Sequence, residues 1–191
     1  MVRRSATAAA ALALALPAAA PAVAQGFGLD NPPADLTVRF EEGMGPDLFH
    51  VENTGTCLAT VMSVTIDLGG TVGGLVFDTE AGGGGSNAAY PFIPREGGDK
   101  IIGAAGGQDG GRLLTLKLSG LRQGERVVFS IDVDDALDDS PWGRTRIAGP
   151  EFDGGGVRVT LRAPDGREME HTGRFGPDAR AYVNPRSCAV G

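Results

Sequence analysis

Apolar and polar residues alternate along most of the chain. Leu36, Val38 and Phe40 open the pattern. Met62, Val64, Ile66 and Leu68 then alternate with Ser63, Thr65 and Asp67. Leu114, Leu116 and Leu118 alternate with Thr115, Lys117 and Ser119, and Val127, Phe129, Ile131 and Val133 with Val128, Ser130, Asp132 and Asp134. Val157, Val159 and Leu161 alternate with Arg158, Thr160 and Arg162. Successive side chains of a strand point to opposite faces, so each run predicts a strand with one oily and one wet face. β-branched residues, which suit a half-buried pleat, are frequent in these runs. Turn signals separate them: Asn53-Thr54-Gly55, Gly69-Gly70, Gly97-Gly98, Gly120 with Gly124, Asp153-Gly154 and Pro164-Asp165-Gly166. The spacing predicts about eight to ten strands, and no sustained helical period appears beyond residue 24. Two sheets with one apolar face each bury those faces by stacking. The expectation is an all-β protein, a single antiparallel β-sandwich, immunoglobulin-like or jelly-roll-like, with a closed barrel as the alternative.

Thr79 to Gln108 departs from this pattern. It carries Gly82-Gly83-Gly84-Gly85 and then Tyr90-Pro91-Phe92-Ile93-Pro94. The glycines predict a flexible loop and Tyr90 to Ile93 a strand or edge segment, the prolines favouring an edge. No internal repeat or domain boundary is visible.

The first residues read as an address. Arg3 and Arg4 precede the apolar run Ala8 to Leu16, and Ala22-Val23-Ala24 puts small residues where a signal peptidase inspects. Residues 1–24 are therefore expected to be a secretory signal and 25–191 a single sandwich domain, located in the periplasm or outside the cell. The run is broken by Pro17 and Pro21 and is shorter than the roughly 20 apolar residues a spanning helix needs. No transmembrane anchor is expected in the mature chain.

Composition narrows the functions. The 191 residues include 31 Gly, 17 Lys or Arg and 24 Asp or Glu, for a formal charge of −7. Losing Arg3 and Arg4 takes the mature chain to −7 − 2 = −9. Nucleic acid is not an expected partner, because phosphate affinity needs clustered Lys and Arg. The glycines lack a three-residue period, which excludes collagen, and their abundance disfavours a long helical bundle. Only two cysteines occur, Cys57 and Cys188. In an exported protein this even count predicts a disulfide. A bond closing so long a loop is worth roughly 5 kcal/mol in the chain-entropy model.

Most catalytic patterns are missing. Gly98-Asp99-Lys100-Ile101 fails as a phosphate-binding loop. Gly84-Gly85-Ser86-Asn87-Ala88 fails as a nucleophile elbow. His50 and His171 lie far apart with no zinc-binding spacing. Both read as surface histidines, His50 facing solvent while Phe49 and Val51 face the core. No catalytic residue is assigned.

One segment carries candidate chemistry. Asp132, Asp134, Asp135, Asp138 and Asp139 place five carboxylates within eight residues. Alternation puts Asp132 and Asp134 on one face, with Asp135, Asp138 and Asp139 in the loop that follows. Hard oxygen ligands at a strand-to-loop junction suit Ca²⁺, and Glu151 with Asp153 completes such a site if their hairpin returns to this end. The competing reading is a solvated acidic edge, paired with Arg144 and Arg146 or guarding against sheet-to-sheet association. Trp142, the only tryptophan, lies between Pro141 and Gly143. It reads as a binding residue for a sugar or partner, or as a cap on the core.

Phe49-His50-Val51-Glu52-Asn53-Thr54-Gly55-Thr56-Cys57, Gly74-Leu75-Val76-Phe77-Asp78, Val128 to Asp135 and Ile147 to Phe152, closed by a late Cys, carry a resemblance. The chain is similar, over most of its mature length, to the short exported bacterial proteins of the aggregation-factor-core type, named after a sponge cell-adhesion proteoglycan. The Asn-Thr-Gly strand opening also resembles immunoglobulin-like repeats of bacterial surface proteins. The resemblance implies calcium-dependent adhesion, with Asp132, Asp134 and Asp135 as the positions concerned. The leading expectation is a non-enzymatic secreted binding or adhesion module, calcium-stabilised, whose partner is an envelope or extracellular protein or glycan. The alternatives are a glycan-active envelope hydrolase pairing Asp132 with Asp134 or Glu151, and a structural envelope interaction protein.

Overall fold

The computed structural model describes residues 36–55, 59–86, 88–137 and 146–184. The expected signal segment 1–24, the expected Cys57–Cys188 disulfide, and Asp138, Asp139 and Trp142 lie outside the described residues.

Among the described residues the chain forms twelve strands: β1 (Leu36–Glu41), β2 (Leu48–Glu52), β3 (Thr60–Asp67), β4 (Leu75–Asp78), β5 (Ile93–Pro94), β6 (Ile101–Gly106), β7 (Leu113–Leu121), β8 (Arg126–Ser130), β9 (Asp132–Asp135), β10 (Gly156–Arg162), β11 (Glu168–Arg174) and β12 (Arg180–Val183). Two short 3₁₀ turns, Gly98–Lys100 and Gly149–Phe152, are the helical elements among these residues. One sheet has the order β12-β1-β2-β8-β5, the second β11-β10-β3-β7-β6, and β4 and β9 form a separate two-stranded ribbon. Every named pairing is antiparallel. The architecture is the expected all-β, two-sheet arrangement.

The alternating runs supply its core. Leu36, Val38 and Phe40 of β1, Leu114, Leu116 and Leu118 of β7, and Val157, Val159 and Leu161 of β10 are all buried. Phe49 stacks on Phe129 at 5.3 Å between ring centroids and meets Phe40 edge-on at 5.2 Å. Phe152, in the second 3₁₀ turn, adds a tilted contact to Phe40 at 4.3 Å. Such offset and edge-on pairs add about 0.5–1.5 kcal/mol beyond the area they bury. The sheets join at one side through the β11–β12 corner, where Phe175 bridges to Ala181. Gly173 makes this approach possible, since a Cβ there would lie 2.7 Å from the Tyr182 carbonyl oxygen.

Three features differ from the sequence reading. First, there are twelve described strands rather than eight to ten: β6 follows the edge segment expected at Tyr90 to Ile93, which is β5 from Ile93, and the run from Val127 divides into β8 and β9. Second, Val61 rather than Met62 takes the buried position at the start of β3. A β-bulge between Val61 and Ser63 inserts one residue and shifts the alternation. Third, the long run from Val127 to Asp134 is not one strand. It breaks at Ile131, whose N–H donates to the Asp47 carbonyl, and β9 then leaves the sheet to pair with β4. The break also places Asp135 inside β9 rather than in the following loop.

Candidate metal centre

The break at Ile131 builds the site. β8 stays in the five-stranded sheet, while β9 runs on beside β4 with Asp78 opposite Asp132, Phe77 opposite Val133 and Val76 opposite Asp134. Cross-strand partners share a face. Phe77 and Val133 therefore enter the core together, and Asp78, Asp132 and Asp134 project from the other side. The three carboxylates converge, with one oxygen of each within 4.8 Å of the others. All three residues are buried.

Charges so close need compensation. The Ser86 N–H donates to Asp78 Oδ2 at 2.9 Å and to Asp134 Oδ2 at 2.6 Å. Asp78 Oδ1 has no hydrogen-bond partner although Asp78 is fully buried. No ion pair among the described residues reaches Asp78, Asp132 or Asp134. Burial, with the facing Asp134 and Asp109 carboxyls, pushes Asp78 up to about 6 against the pull of the Ser86 N–H. Burial and the charges of Asp47, Asp134, Asp78 and Glu42 push Asp132 up to about 8. Desolvation and like charge both disfavour the ionised form.

A further ring of acids backs the group. Asp47, buried behind β9, accepts from the Gly43 N–H at 3.0 Å and from the Val133 N–H at 3.1 Å. Burial nevertheless raises it to about 7, with Glu42 and Asp134 adding to the effect. Glu42 accepts from the Ile147 N–H at 3.1 Å. Burial raises its pKa, Arg146 opposes the rise, and Asp134 and Glu151 reinforce it.

The glycine-rich segment covers the group. Gly85 packs so closely that an added Cβ would lie 2.6 Å from Asp78 Cγ and 2.7 Å from Asp134 Oδ2. At the other end of the segment Asp109 accepts from Thr79 and Glu80 at 3.0 Å each and from Gly84 at 2.6 Å. The Gly84 and Thr79 N–H groups hold the half-buried Asp109 carboxyl below its ordinary range.

Of the residues expected at a calcium site, Asp132 and Asp134 are brought together. Asp135 is fully buried without a hydrogen-bond partner on either oxygen. It lies opposite Leu75, and alternation turns it away from Asp132 and Asp134. Glu151 is buried and its Oε2 accepts from the Ala148 N–H at 2.7 Å, closing the 3₁₀ turn rather than joining the three-carboxylate group. Asp132 and Asp134, named together as a hydrolase pair, sit within this one buried group. Sequence reasoning missed Asp78 and Asp47. Asp78 ends the apolar run Leu75-Val76-Phe77 just before the glycines, which was its one visible signal. Of the histidines, His50 is half-buried with Nε2 3.3 Å from Glu41, between the buried Phe49 and Val51. His171 is half-buried on β11.

Among the described residues the arrangement offers several hard oxygens, no nitrogen or sulfur ligand, and one buried oxygen without a donor. That donor set suits a hard divalent cation. No family model, curated protein sequence or solved structure matches the chain.

Proposed function

We propose that the chain is an exported, non-enzymatic β-sandwich binding or adhesion module, stabilised by a calcium ion held between β4, β9 and the glycine-rich segment. The observation that carries this reading is the convergence of Asp78, Asp132 and Asp134 within 4.8 Å, buried, with no paired cation among the described residues. Asp78 Oδ1, buried without a hydrogen-bond partner in the same carboxyl group, supports it. Calcium suits the group better than magnesium, since it accepts flexible all-oxygen coordination and gives up its water more readily. When bound, it would offset two of the three negative charges, which no ion pair among the described residues reaches. A glycan hydrolase works with two carboxyls on either side of a bond in an accessible cleft. Asp132 and Asp134 are instead buried, with Gly85 packed over Asp134, which speaks for the cation. The signal-like residues 1–24 and the resemblance described above support export and adhesion. The secreted partner is then an envelope or extracellular protein or glycan.

Calorimetric titration of the full chain with Ca²⁺, alongside thermal melts, tests the reading. Binding heat and a melting temperature that climbs with Ca²⁺ are expected, because a ligand of the native state must stabilise it. Absence of both at millimolar Ca²⁺ refutes the calcium reading. Sequencing the exported protein's N-terminus tests the predicted cut after Ala24.

A further inference from the structure

We infer that Thr79–Ser86 is a strap whose attachment to the sandwich is governed by the cation, so that loss of the ion frees this segment while the sheets stay folded. The inference rests on the calcium reading above and adds a moving part to it.

The strap has no apolar anchor. Glu80 to Gly84 are exposed, Gly85 and Ser86 are half-buried, and none of the strap residues belongs to the core. Its backbone is held at two places, both by carboxylates. Near its start and middle, Asp109 takes the Thr79, Glu80 and Gly84 N–H groups. That half-buried acid accepts from three backbone N–H groups, so this end is held by donors that do not involve the ion. At the far end the Ser86 N–H is shared between Asp78 and Asp134, and the Ser86 hydroxyl reaches Asp78 Oδ2 at 3.5 Å. One N–H and one long hydroxyl contact, both neutral donors, cannot balance carboxylates grouped with Asp132, and Asp78 Oδ1 is left with no donor. The two ends of the strap therefore differ. One is held by three N–H donors to a single carboxylate, and the other sits on a cluster of like charge whose cohesion depends on added positive charge.

Gly85 fixes the geometry of that second attachment. Its missing side chain lets the backbone lie directly over Asp78 and Asp134. A cation drawing Asp78, Asp132 and Asp134 inward holds the acceptors where the Ser86 N–H reaches them. Without it, mutual repulsion spreads the acceptors and the Ser86 contact is lost first. The ribbon beneath keeps its own anchors, because Phe77 N–H bonds to the Gly111 carbonyl and Gly110 N–H to the Phe77 carbonyl, both independent of the carboxylates.

Hydrogen exchange of the full chain, followed residue by residue in excess Ca²⁺ and in chelator, reads this directly. With Ca²⁺, the Gly85 and Ser86 amides should slow by about tenfold or more, reflecting a local opening suppressed by ligand. The Thr79 and Gly84 amides should change less, and β3 and β10 not at all. Asp134→Asn keeps an oxygen for the Ser86 N–H but removes a ligand charge, so its strap should lose the calcium response and remain attached in chelator. If calorimetry shows Ca²⁺ bound but the Ser86 amide is unaffected, or if every amide slows equally, the strap inference is wrong and the calcium reading stands. If no Ca²⁺ binds, both fall together.

Discussion

Asp78 and Asp132 are cross-strand partners in the β4–β9 ribbon, two carboxylates facing each other from positions 54 residues apart in the chain. Directly opposed like charges destabilise a ribbon. Neutralising one of them should therefore strengthen the metal-free protein. Asp132→Asn keeps the shape of the side chain and removes the charge. In chelator at pH 8 it should gain about 1–2 kcal/mol, the scale of a relieved buried repulsion, or about 3–6 °C in melting temperature for a domain of this size. In excess Ca²⁺ the order should reverse, with the native protein melting higher. A variant that is less stable under both conditions contradicts the charge argument.

The same groups set an unusual dependence on pH. Asp78, Asp47 and Asp132 titrate at about 6, 7 and 8 in the folded chain, well above the ordinary aspartate value of about 3.9. For each, the folded state binds its proton more tightly than the unfolded state does. Their contribution to stability is therefore full below about pH 4 and is lost progressively as pH rises towards about 8. Thermal melts in chelator should fall between pH 5 and pH 8. Bound Ca²⁺ holds the carboxylates ionised, so in excess Ca²⁺ the slope should turn the other way, with stability lost on acidification. Parallel curves with and without Ca²⁺ would separate the ion from these acids.

Phe49 is the aromatic hub of the core. It has no exposed surface, and its ring contacts Phe40, Phe77, Phe129 and Phe152 with centroids 5.2 to 6.5 Å apart. Phe77 is its link to the acidic ribbon. Phe49→Ala should cost about 3–5 kcal/mol, transfer and cavity terms together, read from urea unfolding. Phe49→Leu should recover much of the loss. An Ala variant within 1 kcal/mol of the native protein would contradict a close-packed aromatic core.

Much of this was legible from the sequence because period-two alternation is a local signal. The runs in β1, β7 and β10 follow it, and their apolar residues are the ones buried. The failures occur where local pattern and tertiary pairing part company. A bulge exchanges Val61 for Met62 without altering composition. The run through Ile131 stays apolar on alternate residues while the chain changes pairing partner, and nothing local records the change. Asp132 and Asp134 were visible as a same-face pair within one strand. Asp78 was not, because its place depends on which strand lies beside β9. Asp47 was hidden for the same reason, reaching the Val133 N–H across 86 residues of sequence.

Asn53 offers a test of the fold away from the acids. Its side chain is buried at the end of β2 and donates through Nδ2 to the Ala59 carbonyl at 3.2 Å and the Leu121 carbonyl at 3.0 Å. Its Oδ1 accepts from the Gly55 N–H at 3.3 Å. The residue thus ties the end of one sheet's β2 to the last residue of β7 in the other. Asn53→Ala leaves two carbonyls without this donor and should cost about 2–3 kcal/mol, the penalty for buried polar groups left unpaired. Asn53→Asp is the sharper comparison. It preserves volume and can still accept from Gly55, but when ionised it turns a charge towards two carbonyl oxygens. Donation by Nδ2 is therefore the property under test, and Asn53→Asp should lose at least as much as Asn53→Ala at pH 8 and regain part of it at pH 4, where protonation restores a donor. If Asp proves as stable as Asn at pH 8, the two carbonyl bonds do not hold the sheets together at this end.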